Sequence, residues 1–143
     1  MAQVVHTEVF NCSPETFFKI VTDYEKYPEF LSDVKKIRIL KNEGDRKLVE
    51  YTISVIKTFV YQLWMTEKPF KEVSWELAGG DLFKKSEGYW KLESLEGGKK
   101  TRATYGVDVE FNFLVPKPIA KALVNSNLPS MMESYHKRIT RYV

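Results

Sequence analysis

The sequence predicts an α+β fold: a curved antiparallel sheet wrapped around one long C-terminal helix. Two observations carry this. From about residue 34 to 112, apolar side chains recur at every second position, in runs separated by short polar turns. On either side of that region, around residues 14–31 and 116–139, the apolar period is helical instead. At 143 residues and 43% hydrophobic composition, the chain has the length of one domain. A domain of this size buries roughly 70% of its unfolded surface and needs no disulfide or metal to hold a core.

The elements follow in order. Residues 4–10 alternate as a short strand. Ser13 is a good helix N-cap, and Pro14 suits the first helical position, where its missing N–H costs nothing. Thr16 stands where a Glu would complete a capping box. Phe17, Ile20, Val21 and Tyr24 share one helical face. The run Tyr27-Pro28-Glu29-Phe30-Leu31 restarts at a proline and predicts a second short helical turn, set at an angle to the first.

The strands come next. Val49, Tyr51, Ile53 and Val55 lie on one side of a strand; Phe59, Tyr61, Leu63 and Met65 do the same. Val73, Trp75 and Leu77, then Trp90 and Leu92, then Tyr105, Val107, Val109 and Phe111 continue the pattern. Asn42-Glu43-Gly44-Asp45, Ala78-Gly79-Gly80-Asp81 and Glu96-Gly97-Gly98-Lys99 read as hairpin turns, so the strands form a meander. The alternate positions, such as Glu50, Gln62, Glu76, Glu93 and Asp108, are polar, so one face is wet and the other covered.

The cover is the last segment. Pro116 and Pro118 punctuate its start, and Ile119, Leu123, Leu128, Met131, Met132, Tyr135 and Ile139 follow a helical period. Pro129 inside that pattern is expected to kink or split the helix. His136, Lys137, Arg138 and Arg141 suit the negative end of a helix dipole.

Composition excludes several classes. One cysteine leaves no internal disulfide and no multi-Cys zinc site, and two histidines argue against a His-rich metal centre, so neither metal nor cofactor is expected. Twenty-two basic against 19 acidic residues give a net charge of +3, too small to argue for nucleic acid. No apolar run approaches the roughly 18 residues of a membrane helix. The N-terminal MAQVVHTEVF lacks the layout of a signal peptide, so the expected compartment is the cytoplasm.

Aromatics make up 14% of the chain. Tyr51, Tyr61, Trp75, Trp90 and Tyr105 fall on the covered face and Tyr135 on the helix that covers it, each with an apolar body and a polar tip. A solid core favours Leu, Ile and Val, because buried hydroxyls need partners. The pattern therefore predicts a cavity, against the plainer reading of a packed aromatic core. Met131 and Met132 add adaptable packing.

Three stretches carry a family resemblance. Asp23-Tyr24 followed by Tyr27-Pro28 and Phe30, the Phe83…Gly88-x-Trp90 strand, and YGVDVEFNF leading to MMESYHKR resemble the START-like, helix-grip superfamily. The polyketide cyclase/dehydrase branch, with its coenzyme Q-binding and ribosome-association members, is the most similar. The resemblance covers essentially residues 1–143 as one START-like ligand-binding domain. With the alternation count, it implies about seven strands, with two short helices after the first. Ser32, Asp33 and Val34 depart from the Pro-Trp-Cys of many quinone-binding members.

The resulting expectation is a carrier or chaperone for a small hydrophobic ligand: a lipid, quinone or polyketide-like molecule. Its cavity would be lined by Tyr51, Ile53, Tyr61, Leu63, Trp75, Trp90, Tyr105, Val107, Leu123, Met131, Met132 and Tyr135. Access would run past Tyr27, Pro28, Phe30 and Phe83, near the short helices and the Asp81–Lys85 loop. The alternatives are a cyclase or aromatase, as the branch name implies, and a protein-interaction role, as the ribosome-associated relatives imply.

No catalytic residue stands out. His136 reads as a solvated cation near a helix end rather than a general base in the cavity. His6 and Cys12 share strand parity but lie about 20 Å apart along an extended chain, so Cys12 reads as a small buried hydrophobe. Asp23, Glu25 and Glu29 read as caps and solvated positions, with Asp23 bonding a backbone donor at the turn. Lys35, Lys36, Arg38 and Lys41 either blunt an edge strand, the preferred reading, or meet a membrane surface or acidic partner.

Overall fold

The computed structural model describes residues 2–55, 57–125 and 127–142. The elements are β1 (Ala2–Phe10), α1 (Pro14–Thr22), a 3-10 turn (Tyr24–Glu29), β2 (Val34–Asn42), β3 (Arg46–Val55), β4 (Lys57–Lys68), β5 (Glu72–Gly80), β6 (Phe83–Leu95), β7 (Lys100–Phe111), α2 (Lys117–Asn125) and α3 (Asn127–Ile139). The seven strands form one antiparallel sheet in the order β1-β7-β6-β5-β4-β3-β2. β2 to β7 form a meander. β1 closes back on β7, from Ala2 opposite Val109 to Phe10 opposite Thr101. This is the helix-grip architecture.

The helix start is built as its residues dictate. Ser13 Oγ accepts from the Thr16 N–H at 3.2 Å, and Pro14 opens α1. Phe17, Ile20 and Val21 are buried, and Tyr24 is buried in the turn that follows. That turn contains Pro28. Tyr27 Oη donates to the Val21 carbonyl and ties the turn to α1. The Asp23 side chain makes no cap bond, contrary to expectation; its backbone N–H closes the helix on the Ile20 carbonyl instead.

Val49, Tyr51, Ile53, Leu63, Met65, Val73 and Trp90 are buried on the inner face. The outer face carries cross-strand pairs such as Arg38–Glu50 at 3.1 Å and Gln62–Glu50 at 2.9 Å. β2 is an edge strand, and Lys35, Lys36 and Lys41 are exposed along it, in keeping with a lysine-blunted edge.

Gly79 and Gly80 are not the hairpin turn. β5 runs through both, with Ala78 the extra residue of a bulge facing Gln62/Leu63, and the chain reverses at Asp81–Leu82. Gly80 has φ +114°, and a Cβ there would lie 2.5 Å from Tyr61 Cα, so the pair serves a close strand approach.

The closing segment is described as two helices, α2 and α3. Pro129 lies within α3, and the junction between α2 and α3, where the expected kink or split would fall, lies outside the described residues. Met132, Tyr135 and Ile139 are buried against the core that β1, α1 and the sheet share. Among the described residues, no helix is long and apolar enough to cross a membrane.

Candidate functional site

Between the inner face of the sheet and α3 lies a cavity of about 220 Å³. One buried water needs only about 10–15 Å³, so this space holds far more than a single solvent molecule. Each strand from β3 to β7 contributes to it: Tyr51 and Ile53, Tyr61 and Leu63, Trp75, Trp90, then Tyr105 and Val107. Met131 and Tyr135 of α3, with Leu128, face it from the other side.

The aromatic walls touch one another. Tyr51 and Tyr61 stack at 5.2 Å with planes 7° apart, and Phe83 meets Tyr61 edge-on at 5.0 Å. Trp90 packs on Tyr105 at 4.9 Å and on Tyr135 at 5.4 Å. The Trp75 indole lies across Gly88, where a Cβ would come within 2.6 Å of the ring. The Gly88 position in the Phe…Gly-x-Trp stretch thus has a steric reason: it seats Trp75 flat on the wall.

Burial holds these phenols neutral. It pushes Tyr105 up to about 12 and raises Tyr27, Tyr51, Tyr61 and Tyr135 further above the ordinary tyrosine value. Neutral phenols donate and accept hydrogen bonds but do not act as bases at neutral pH. Tyr51 Oη reaches Met65 Sδ at 3.5 Å, and the Tyr27 hydroxyl is spent on Val21.

Not every anticipated residue borders this space. Met132 is 4% exposed and packs into the core instead. One residue turns a helix by about 100°, so the stripe shared by Met131 and Tyr135 excludes Met132. The Leu123 side chain lies outside the described residues. Of the four anticipated access residues, Tyr27 and Phe83 border the cavity. Pro28 is exposed in its turn, and Phe30 packs edge-on against Tyr135 at 5.3 Å. The exposed lining residues are Ser32 and Ser130, so the cavity opens between the segment after the Tyr24–Glu29 turn and the start of α3.

Sequence reasoning missed Ser32, Asp33 and Val34 at this mouth, and Val4, Ser86 and Phe111 deeper in. Asp33 is the one carboxylate among the described lining residues. Asp33 stands two residues after the Tyr-Pro-x-Phe-Leu turn and directly before β2, and no periodic signal marks it.

The two histidines lie elsewhere. His136 Nε2 meets Glu8 Oε2 at 2.6 Å, and His6 Nε2 meets Glu8 Oε1 at 2.7 Å. His136 also packs on Phe10 at 4.5 Å between ring centroids, so it clasps α3 to β1 rather than standing free in solvent. The hydrogen bond from His136, chiefly, holds the Glu8 carboxyl below its ordinary value. Cys12 is buried at 2% exposure, and burial pushes its thiol up to about 11, so it is no ready nucleophile. Glu29 is not merely solvated: it bonds Arg138 of α3 at 3.0 Å.

Residues 11–135 match the family model described as polyketide cyclase / dehydrase and lipid transport. No curated protein matches the chain. Among solved structures, a START superfamily protein from Mycobacterium smegmatis is 24% identical, with a TM-score of 0.84 and 99% of each chain covered. The Zhui aromatase/cyclase from a Streptomyces species is 13% identical with a TM-score of 0.86, over 98% of this chain and 94% of that one. A major latex-like protein from Panax ginseng is 14% identical with a TM-score of 0.71, over 96% of each chain. At these identities the likeness is one of fold. The family model, in contrast, runs from Asn11 before the first helix to Tyr135 on the last, and the chain belongs to the polyketide cyclase / dehydrase and lipid transport family.

Proposed function

We propose that residues 1–143 act as one ligand-binding domain that holds a small hydrophobic molecule between the sheet and α3, as a carrier or chaperone. The observation that supports this most is the make-up of the cavity wall. It is apolar in body, from Ile53, Leu63, Trp75, Trp90, Val107 and Met131, and it is dotted with neutral phenols at Tyr51, Tyr61, Tyr105 and Tyr135. Burial of the ligand's apolar surface supplies the driving force, about 25 cal/mol per Å². The phenols offer hydrogen bonds to a few carbonyl or hydroxyl oxygens and so favour a lipid, quinone or polyketide-like molecule over a plain hydrocarbon.

Native mass spectrometry of protein purified from its own host, followed by titration with a fluorescent fatty acid, tests this reading. Retention of an apolar molecule that the fatty acid displaces is the expected result. A bare protein that leaves the probe's fluorescence unchanged would sink it.

One observation favours a second reading, a cyclase or aromatase. Asp33 sits on the rim of a wall rich in phenols, where a carboxylate could take a proton from a bound polyketone while tyrosines hold its oxygens. Conversion of a poly-β-ketone probe that Asp33→Asn abolishes, with binding retained, would select the enzyme over the carrier.

A further inference from the structure

Phe113 and Leu114 are 90% and 77% exposed, the two most exposed large apolar side chains among the described residues, and they are consecutive. Their presentation is enforced by the backbone. The Asn112 carbonyl accepts from the Val115 N–H at 2.9 Å, and Asn112 Oδ1 accepts from the Leu114 N–H at 3.1 Å. The Asn112 N–H in turn bonds the Leu82 carbonyl at 3.0 Å, which anchors the turn to the β5–β6 connection. Phe113 and Leu114 are therefore the central pair of a tied β-turn. Val115, just beyond them, turns back against the core.

The stretch of chain that carries this tip is one-sided in charge. Between Glu110 and Glu133 the sequence has two lysines, Lys117 and Lys121, and no acidic residue. Both lysines are exposed, and their spacing puts them on one side of α2, away from the buried Ile119. The tip also stands at one end of the cavity: Phe111, two residues before Phe113, lines that end together with Phe83, their rings 5.3 Å apart.

A rigid, protruding Phe-Leu pair beside the exposed lysines of an acid-free stretch fits the surface of an anionic bilayer. The geometry points to peripheral docking of this chain on anionic phospholipid through the Phe113–Leu114 tip, with Lys117 and Lys121 on the headgroups. A lipid surface suits the site because it takes a convex apolar tip without a matching groove, and because its negative charge answers the acid-free stretch. Docked this way, the Phe83–Phe111 end of the cavity faces the membrane.

The test is co-sedimentation with phosphatidylcholine vesicles, with and without phosphatidylglycerol. Wild-type protein should pellet with the phosphatidylglycerol vesicles and be released by salt. The Phe113→Ser, Leu114→Ser double variant should lose about tenfold or more in partitioning. Lys117→Gln with Lys121→Gln should lose about tenfold or more on anionic vesicles only. All four positions are exposed, so melting curves should match wild type. Wild-type protein left in the supernatant overturns the proposal and leaves the tip to a protein partner; equal pelleting of wild type and tip variant overturns it too. Neither tip residue lines the cavity, so fatty-acid binding without vesicles should be unchanged in the tip variant. The cavity reading and this one therefore fail in separate assays.

Discussion

The guanidinium of Arg138 on α3 meets the carboxylate of Glu29 at 3.0 Å, joining the last helix to the turn beside the cavity mouth. Arg138 is 7% exposed although it belongs to a run of basic residues at a helix end. It also lies 5.0 Å from the centre of the Phe30 ring. A buried guanidinium without its partner carries an unpaid desolvation cost. Glu29→Gln should therefore lower the melting temperature, and Arg138→Ala should lower it further, because it also removes the contact with Phe30. Thermal melts of the two variants check the order; Glu29→Gln melting like wild type would show that solvent satisfies the guanidinium.

The clasp of His6 and His136 on Glu8 gives a pH dependence whose sign is fixed. The Glu8 carboxyl is held below its ordinary value of 4.5, chiefly by the hydrogen bond from His136. Its stabilising contribution is thus present above that value and lost as pH falls through the lower, folded one. Glu29, lowered by Arg138, acts in the same direction. Melting temperature should fall on acidification below the ordinary carboxylate range, and Glu8→Gln should flatten that acid limb. A Glu8→Gln profile parallel to wild type would remove the clasp from the acid response.

These two contacts also mark where the sequence stops being legible. The strands were readable because alternation at period two is local, and the same parity assigned Tyr51, Tyr61, Trp75, Trp90 and Tyr105 to the face that borders the cavity. His136 and Glu8 are 128 positions apart and meet only because β1 closes back on β7. No periodicity reports that closure. The Gly79-Gly80 pair looked like a turn because glycines usually are one, whereas here they admit the Tyr61 backbone across a bulge. The mouth residues Ser32 and Asp33 follow no period at all, and nothing local says that they face α3.

Gly88→Ala tests the wall directly. The added Cβ would fall 2.5 Å from the Gly106 carbonyl oxygen and 2.6 Å from the Trp75 ring. The carbonyl cannot move without breaking the β6–β7 ladder, so the change should cost about 1–3 kcal/mol. It should also shift Trp75 fluorescence and weaken binding of an apolar probe. Urea unfolding beside a probe titration measures both effects; an unaltered midpoint would mean that the sheet flexes enough to take the methyl.

Trp90→Ala separates wall from core. Trp90 is 3% exposed and is held by Phe10, Phe17, Tyr105 and Tyr135. It borders the cavity on only part of its surface, so the loss should approach the full about 3–5 kcal/mol of a core tryptophan. The enlarged space should still admit the probe, with altered affinity. A loss well under this range, read from denaturant melts, would make Trp90 chiefly a ligand contact.

The sharpest test lies in two adjacent methionines on α3. Met131 is half-buried and borders the cavity one turn from Tyr135, whereas Met132 is 4% exposed and packed in the core. Met131→Trp should place its added volume in open space, so the melting temperature should hardly move while a fluorescent fatty acid is excluded. Met132→Trp has no such space; it should overpack and cost about 1–3 kcal/mol, with probe binding largely kept in the fraction that stays folded. The two variants carry the same chemical change on neighbouring positions, so composition and helix propensity cancel. Melts and displacement titrations on both give four readings. A clear stability loss with unchanged binding in Met131→Trp would mean that the space beneath α3 is too tight to hold a ligand.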